Sequence, residues 1–323
     1  NVKAVAHLGS VLGYAAWLLR HRPDAIVECG NPKFCKALRL LRLLGIRFPL
    51  MVTAHEHYAR HFRRYRSISG LVDTWLLTYD FRDAVRARVG DKRFHIVHPL
   101  YPRKERANWS AELRVEARKG LGLPEEALVV GYIGRQDTNK EPWSVLRLAE
   151  LLQESLDRPV WVLLAGQESP RVTATLDARI QASPLRERVR RLPKAPNNGP
   201  AFAALDLFVL ASYQEGFFPL SLIEAMERGV PVAATTVGGI PTVLKEGEGA
   251  FLIRKEDDRN PVSEEALGEA ATRIAPALGS PVAWQAQREA AAALVHRVRD
   301  GYDAAALYRE AFSELLGLDP SRS

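Results

Sequence analysis

The chain holds 323 residues, 47% hydrophobic and 26% charged, the composition of a soluble globular protein with room for two domains and a core in each. No apolar run approaches the roughly 20 residues that span a bilayer. Only Cys29 and Cys35 are present, which excludes a disulfide-built fold, and their spacing matches neither a zinc nor a redox motif, so buried thiols are expected. Asn1 opens the chain with no leader or cleavage pattern after it, which reads as a cytoplasmic protein.

The net charge of +7 conceals a division. Residues 1–122 carry 23 Lys and Arg against 10 Asp and Glu, a net +13, whereas the rest carry 22 against 28, a net −6. The change of sign falls at Arg118-Lys119-Gly120-Leu121-Gly122-Leu123-Pro124, where Gly and Pro stop a helix before an apolar strand. The expected division is a first domain over 1–122, a second over 123–283, and C-terminal helices over 284–323.

Hydrophobic periodicity gives strands alternating with helices. Helix Val5 to Arg20 precedes strand Ala25 to Cys29, and helix Phe34 to Leu44 precedes strand Pro49 to Ala54. Strand Thr74 to Thr78, helix Phe81 to Val89 and strand His95 to His98 follow. The second half is predicted as strand Leu128 to Ile133, helix Ser144 to Leu156, strand Val160 to Ala165, helix Thr173 to Ala182 and strand Val189 to Leu192. Helix Pro200 to Ala204, strand Leu207 to Leu210, a helix from Pro219, and strands Val232 to Ala234 and Ala250 to Ile253 complete it. Glu264 to Leu278 and Trp284 to Leu316 read as Ala- and Leu-rich helices. Such alternation means α/β architecture with open parallel sheets and ligands at the carboxyl ends of strands.

The most informative stretch is Leu205 to Leu252. Strand Leu207 to Leu210 leads to a Glu-Gly turn at Glu215 and Gly216, and a helix begins at Pro219 and Leu220. The start of such a helix directs backbone N–H groups at an anion, most naturally a phosphate. Glu215 and Glu224 bracket the turn and can hold hydroxyl groups on either side, which together describe a sugar nucleotide. Earlier in the chain, the strand ending at Ile133-Gly134-Arg135 is followed by Lys140, a cationic pair suited to a diphosphate. Singly, a strand-end Arg is more often a surface ion-pair partner. Its arrival with Lys140, ahead of the Glu-Gly turn, favours the functional reading.

These residues resemble the nucleotide-sugar site of retaining GT-B glycosyltransferases of the family 4 type. That signature is a Glu, seven residues, then a Glu heading a helix that continues Ala-Met. Glu224-Ala225-Met226, then Arg228-Gly229-Val230-Pro231-Val232-Ala233-Ala234 and Val237-Gly238-Gly239-Ile240-Pro241, match it. Eight residues, not seven, separate Glu215 from Glu224, with Phe217-Phe218 the place of the extra one.

The resemblance implies a GT-B fold, two Rossmann-like domains whose parallel sheets face a cleft. It implies Arg135 and Lys140 as the clamp on the leaving diphosphate, Glu215 orienting the sugar, and Glu224 on the ribose. Gly134, Gly216, Phe217, Phe218, Pro219, Leu220 and Ser221 form the rest of the donor site. It also implies a last helix crossing back to the first domain. His21-Arg22-Pro23-Asp24 resembles a mid-domain step, so the first domain is expected to lack its first elements. Thr53-Ala54-His55-Glu56 ends a strand as the family's Thr-x-His-Asp does, which makes His55 a candidate for contact with sugar or acceptor, with a local hydrogen-bonding role equally open. His57 lies on the same side of an extended chain.

From Tyr58 to Ile68, Arg60, Arg63, Arg64 and Arg66 are interleaved with aromatic residues. This pattern suits an anionic membrane surface, hence a peripheral enzyme at the inner face acting on a lipid-linked or saccharide acceptor; a solvated basic loop is the alternative. No nucleic-acid module accompanies the charge, so nucleic acid is not an expected partner. Asn108-Trp109-Ser110 is read as a chance sequon. There is no Asp-x-Asp, Gly-x-Gly-x-x-Gly, Walker sequence or Gly-x-Ser-x-Gly, so neither a metal nor a cofactor is expected beyond the sugar nucleotide itself. A nucleotide-sugar epimerase or hydrolase on the same fold and a catalytically silent sugar-nucleotide-binding partner remain as rivals.

Overall fold

In the computed structural model, the described residues are 8, 10–28, 31–54, 65–97, 110–255, 260–300 and 303–318, with the side chains of 299 and 300 excepted. The chain divides into two units, Asn1–Tyr101 with Asp303–Ser323, and Pro102–Tyr302.

The first unit is built on a four-stranded parallel sheet in the order β1 (Ile26–Glu28), β2 (Leu50–Ala54), β3 (Thr74–Leu77), β4 (Arg93–Ile96). Helices α1 (Val11–His21), α2 (Pro32–Leu43) and α3 (Arg82–Val89) connect or precede these strands. The boundary signals are local. Ser10 accepts from Gly13 N to cap α1, and Asn31 accepts from Lys33 N and Phe34 N to cap α2, with Pro32 next in line. The expected strand His95 to His98 instead runs Arg93–Ile96, since pairing with β3 sets Thr74 opposite Arg93 and Leu77 opposite Ile96.

The last helix, α12 (Ala304–Leu316), belongs to this first unit. Ala311 packs into a buried cluster with Met51, Leu76 and Val97, covered by Leu307, Tyr308, Phe312 and Leu315. His95 Nε2 lies 2.8 Å from Glu314 Oε2 and fastens the same helix to β4.

The second unit holds six parallel strands in the order β10 (Ala250–Ile253), β9 (Val232–Thr235), β8 (Leu207–Leu210), β5 (Leu128–Ile133), β6 (Val160–Ala165), β7 (Val189–Leu192). Sequence order runs outward in both directions from the β5–β8 pair, which makes that pair the switch point of the sheet. All six residues of β5 are buried, as are all four of β8. Helices α4 (Ala111–Leu121), α5 (Pro142–Ser155), α6 (Pro170–Ala182), α7 (Gly199–Ala203), α8 (Leu220–Met226), α9 (Ile240–Val243), α10 (Glu264–Gly279) and α11 (Pro281–Asp300) surround it.

Helix α4 falls in this second unit, although the charge pattern groups it with the first. Its Arg118 is fully buried and donates to the carbonyls of Ala204, Glu125 and Ala127 and, at 2.6 Å, to Asp206 Oδ2. Arg114 takes the other Asp206 oxygen at 2.6 Å, and Val129 N donates to Oδ2 at 2.8 Å. A buried guanidinium needs such partners, so α4 is anchored where Asp206 stands.

Candidate functional site

The site grows from the loops that leave β5 and β8 at the switch point. Beyond Ile133 the chain turns at Gly134, whose N–H donates to Ala165 O at 2.9 Å. A Cβ on Gly134 would stand 2.6 Å from the Tyr132 hydroxyl, and one on Gly166 would stand 1.8 Å from Gly134 O. Two glycines therefore let the loops after β5 and β6 touch backbone to backbone.

Residues 137–141 then form a tight turn. Asp137 accepts from Asn139 N at 3.0 Å through its side chain and from Lys140 N at 3.0 Å through its carbonyl. Asn139 fastens this turn to the loop after β8. Its amide donates to Gln214 O at 2.9 Å and accepts from Gln214 N at 3.1 Å, while its carbonyl accepts from Tyr213 N at 2.8 Å.

Next to this zipper, Lys140 Nζ is paired with Glu215 Oε1. Both side chains are nearly enclosed, 13% and 10% exposed. Two residues that the sequence marks as candidates 75 positions apart thus share one spot. Arg135 differs. Its side chain is 71% exposed and held by Asp137 at 2.8 Å, a loosely restrained cation on the same turn. Burial, and then the carboxylates of Glu215 and Asp137, raise the Tyr132 phenol above its ordinary range, and Tyr132 anchors the turn through a 3.1 Å bond with Arg135 O.

The Glu-Gly turn rests on a second glycine pair. Gly239 N donates to Gly216 O at 2.8 Å, and Gly238 has a φ of +58°. A Cβ on Gly238 would meet Glu215 O at 2.1 Å, and one on Gly239 would meet the Phe217 backbone at 2.9 Å. Beyond the turn, Phe218 is buried, Phe217 and Pro219 are half-buried, and α8 starts at Leu220 with no side chain capping its first turn. Leu220 is exposed, Ser221 half-buried. Half-buried Glu224 lies in α8, its carbonyl accepting from Arg228 Nη1 at 2.7 Å, and Arg228 stacks over Phe202 at 5.5 Å.

A groove of 530 Å³ opens beside the first glycine pair, lined by Gly166, Glu168, Arg191 and Lys194 among others. Arg191 grips Glu168 through both carboxylate oxygens and also Asp177, and these hydrogen bonds raise its guanidinium pKa.

Glu141 follows Lys140 and leads into α5. It is fully buried with φ +42°, a left-handed conformation uncommon outside glycine. Its carboxyl accepts from Val262 N at 3.0 Å and Trp143 Nε1 at 3.2 Å, and burial raises its pKa despite them. Burial, then the charge of Glu141, pushes the Tyr213 phenol up to about 12.

The structure brings together Gly134, Arg135, Lys140, Glu215 and Gly216, and sets Phe217, Phe218, Pro219, Leu220, Ser221 and Glu224 on the continuation of the same loop and helix. His55, Glu56, His57 and Tyr58 to Arg64 lie outside the described residues, as does Cys29. Sequence reasoning did not assign Asn139, Gly238, Glu141 or the Glu168–Arg191 pair a place in the site. Asp137-Thr138-Asn139 carries an Asx-turn signal and Val237-Gly238-Gly239 a close-approach signal, but their partners are remote in sequence.

Two parallel-sheet α/β units, the second with the loops after β5 and β8 joined at its switch point, are the architecture of the GT-B fold. Residues 114–264 match the family Glycosyl transferases group 1.

Relatives include the D-inositol 3-phosphate glycosyltransferase of Corynebacterium diphtheriae, 33% identical over 148 residues, 44% of this chain and 34% of that protein. The enzyme of the same name from Streptomyces griseus is 33% identical over 204 residues, 60% of this chain and 40% of that one. The chain spans about a third of the length of the curated relatives it matches. Among solved structures, HepE of Anabaena in complex with UDP and glucose aligns with a TM-score of 0.71 and 19% identity over 96% of this chain and 84% of that chain. WaaG, a glycosyltransferase involved in lipopolysaccharide biosynthesis, aligns with 0.66 and 21% over 98% and 85%. At these identities the structural likeness shows the fold alone. Among the described residues, no helix is long and apolar enough to cross a membrane.

Proposed function

We propose that the chain is a retaining glycosyltransferase that moves a hexose-type sugar from a nucleoside diphosphate to an acceptor hydroxyl, in the synthesis of a cell-surface polysaccharide or glycolipid. One observation carries this reading. The loops on either side of the switch point are joined by the Asn139 bonds and the Lys140–Glu215 pair, so a cation for a diphosphate and a carboxylate for a sugar stand at one place. That HepE is held with UDP and glucose on the same fold agrees with it.

In this scheme the donor's nucleoside enters the groove by Gly166, and its diphosphate lies across the Gly134–Lys140 turn. Lys140 exchanges Glu215 for a phosphate oxygen, which releases Glu215 to accept from sugar hydroxyls. Arg135, exposed and lightly held, folds onto the outer phosphate. Charge accumulates there as the glycosidic bond breaks, so these two cations stabilise the transition state more than the ground state. Backbone amides from Phe218 to Ser221 complete the phosphate's partners, and Glu224 accepts from the ribose. The diphosphate leaves from the face the acceptor approaches, with a phosphate oxygen taking the acceptor proton, and His55 is assigned to the sugar or acceptor side. The acceptor is lipid-linked or a saccharide, and the basic segment from Tyr58 to Ile68 attaches the enzyme peripherally to an anionic inner membrane face.

Incubation of the chain with labelled nucleotide sugars and candidate acceptors tests this. Labelled glycoside with its anomeric configuration retained is the expected product. Free or epimerised sugar, or nucleotide binding with no product at all, overturns the assignment in favour of a hydrolase, an epimerase or a silent binding protein respectively.

A further inference from the structure

Helices α1 and α2 carry a surface that neither the sheet nor the donor loops use. The two pack side by side from their first turns, where Tyr14 meets Phe34 edge-on at 5.3 Å and accepts from Asn31 Nδ2 at 2.9 Å. Tyr14, Ala15 and Leu18 on one helix and Phe34, Ala37, Leu38 and Leu41 on the other are the buried sides.

The outward side of α2 presents Lys33, Lys36, Leu40 and Leu43, all exposed, at the spacing that aligns side chains along one helical stripe. Leu43 is 85% exposed and Leu44 67%, and on α1 Leu12 is 72% exposed. An isolated exposed leucine is ordinary; three of them, Leu40, Leu43 and Leu44, gathered at the end of α2 mark an interaction surface.

The charge on these two helices has one sign. Helix α2 contains Lys33, Lys36, Arg39 and Arg42 and no acidic residue, Arg47 follows it, and α1 ends in Arg20 and His21. Arg39 donates to Ser67 O and Arg42 to Gly70 O. The end of the basic segment, with Arg66 exposed, is therefore fastened alongside α2.

We propose that this face seats on an anionic lipid bilayer. Leu40, Leu43 and Leu44 enter the boundary between headgroups and acyl chains, while Lys33, Lys36 and the neighbouring arginines meet lipid phosphates. The charge decides among occupants, since a second copy would set one all-basic helix against another. The proposal deepens the membrane part of the function proposed above and rests on it only for the kind of membrane; glycosyl transfer plays no part in its test.

The test is sedimentation of the full chain with phosphatidylcholine vesicles, with and without phosphatidylglycerol. The parent is expected to partition onto the phosphatidylglycerol vesicles alone and to be released by salt. Leu40→Ser/Leu43→Ser/Leu44→Ser lowers the partition constant by roughly tenfold or more. Lys33→Gln/Lys36→Gln lowers it about fivefold for each charge removed. Both variants keep the parent's thermal midpoint, which shows that they fold. A parent that binds neither vesicle, a leucine variant that binds as the parent does, or a dimer of the parent that the leucine variant dissociates each overturns the proposal. Vesicle binding in a chain that responds to no sugar nucleotide would leave the surface standing and remove the proposed reaction.

Discussion

Gly238→Ala separates the position of the Glu-Gly turn from the stability of the unit. At φ +58° an alanine costs about 1 to 2 kcal/mol through its Cβ alone. The structure adds a second effect, because that Cβ stands 2.1 Å from Glu215 O and 2.4 Å from Gly216 O. Carbon-to-oxygen contacts are ordinarily no closer than about 3.3 Å, so the turn must retreat by roughly 1 Å. A misplacement of about 1 Å at a reacting centre costs on the order of a hundredfold in rate. Gly247→Ala is the control, since φ there is +81° and no atom lies within 4 Å of the added Cβ. Urea unfolding is expected to show Gly247→Ala weakened by about 1 to 2 kcal/mol and Gly238→Ala by at least as much. Turnover of the nucleotide sugar falls in Gly238→Ala only. If Gly238→Ala keeps parental turnover, or Gly247→Ala loses as much, the backbone contact between these loops does not position the site.

Asp206→Asn leaves Arg114 and the buried Arg118 without their carboxylate and is expected to cost about 3 to 5 kcal/mol in urea unfolding. Burial holds the Glu141 carboxyl above its ordinary value of 4.5, so the native state keeps its proton longer than the unfolded chain does. Its contribution is complete below that value and declines as pH rises through the raised native pKa. Thermal midpoints of Glu141→Gln should accordingly gain on the parent from acid toward neutral pH; a constant gap between them would refute the burial argument. Glu215→Gln releases Lys140 for phosphate and is expected to tighten nucleoside diphosphate binding by roughly 1 kcal/mol in calorimetry while abolishing transfer.

Strands whose apolar runs are buried on both faces were legible to the residue. Leu128–Ile133, Val160–Ala165, Leu207–Leu210 and Ala250–Ile253 occupy the positions their composition marks. Strand β4, exposed or half-exposed throughout, was not, because its place comes from register with β3. Helix α9 escaped notice since Gly-Gly-Ile-Pro reads as a turn, and only the end of α4 was visible because its anchor, Asp206, is 88 residues from Arg118. The candidate residues were readable because the strand-glycine-cation and Glu-Gly patterns are local. Their mutual contacts were not: nothing near Lys140 announces that Glu215 is its partner, or that Asn139 binds Gln214.

Calorimetric titration of the parent and of Lys140→Ala with UDP-, GDP- and ADP-sugars bears most directly on the site. One of the three should bind the parent, and Lys140→Ala should lose most of that affinity. Parent and variant binding equally well, or no sugar nucleotide binding the parent, would contradict a donor site at the β5–β8 switch point.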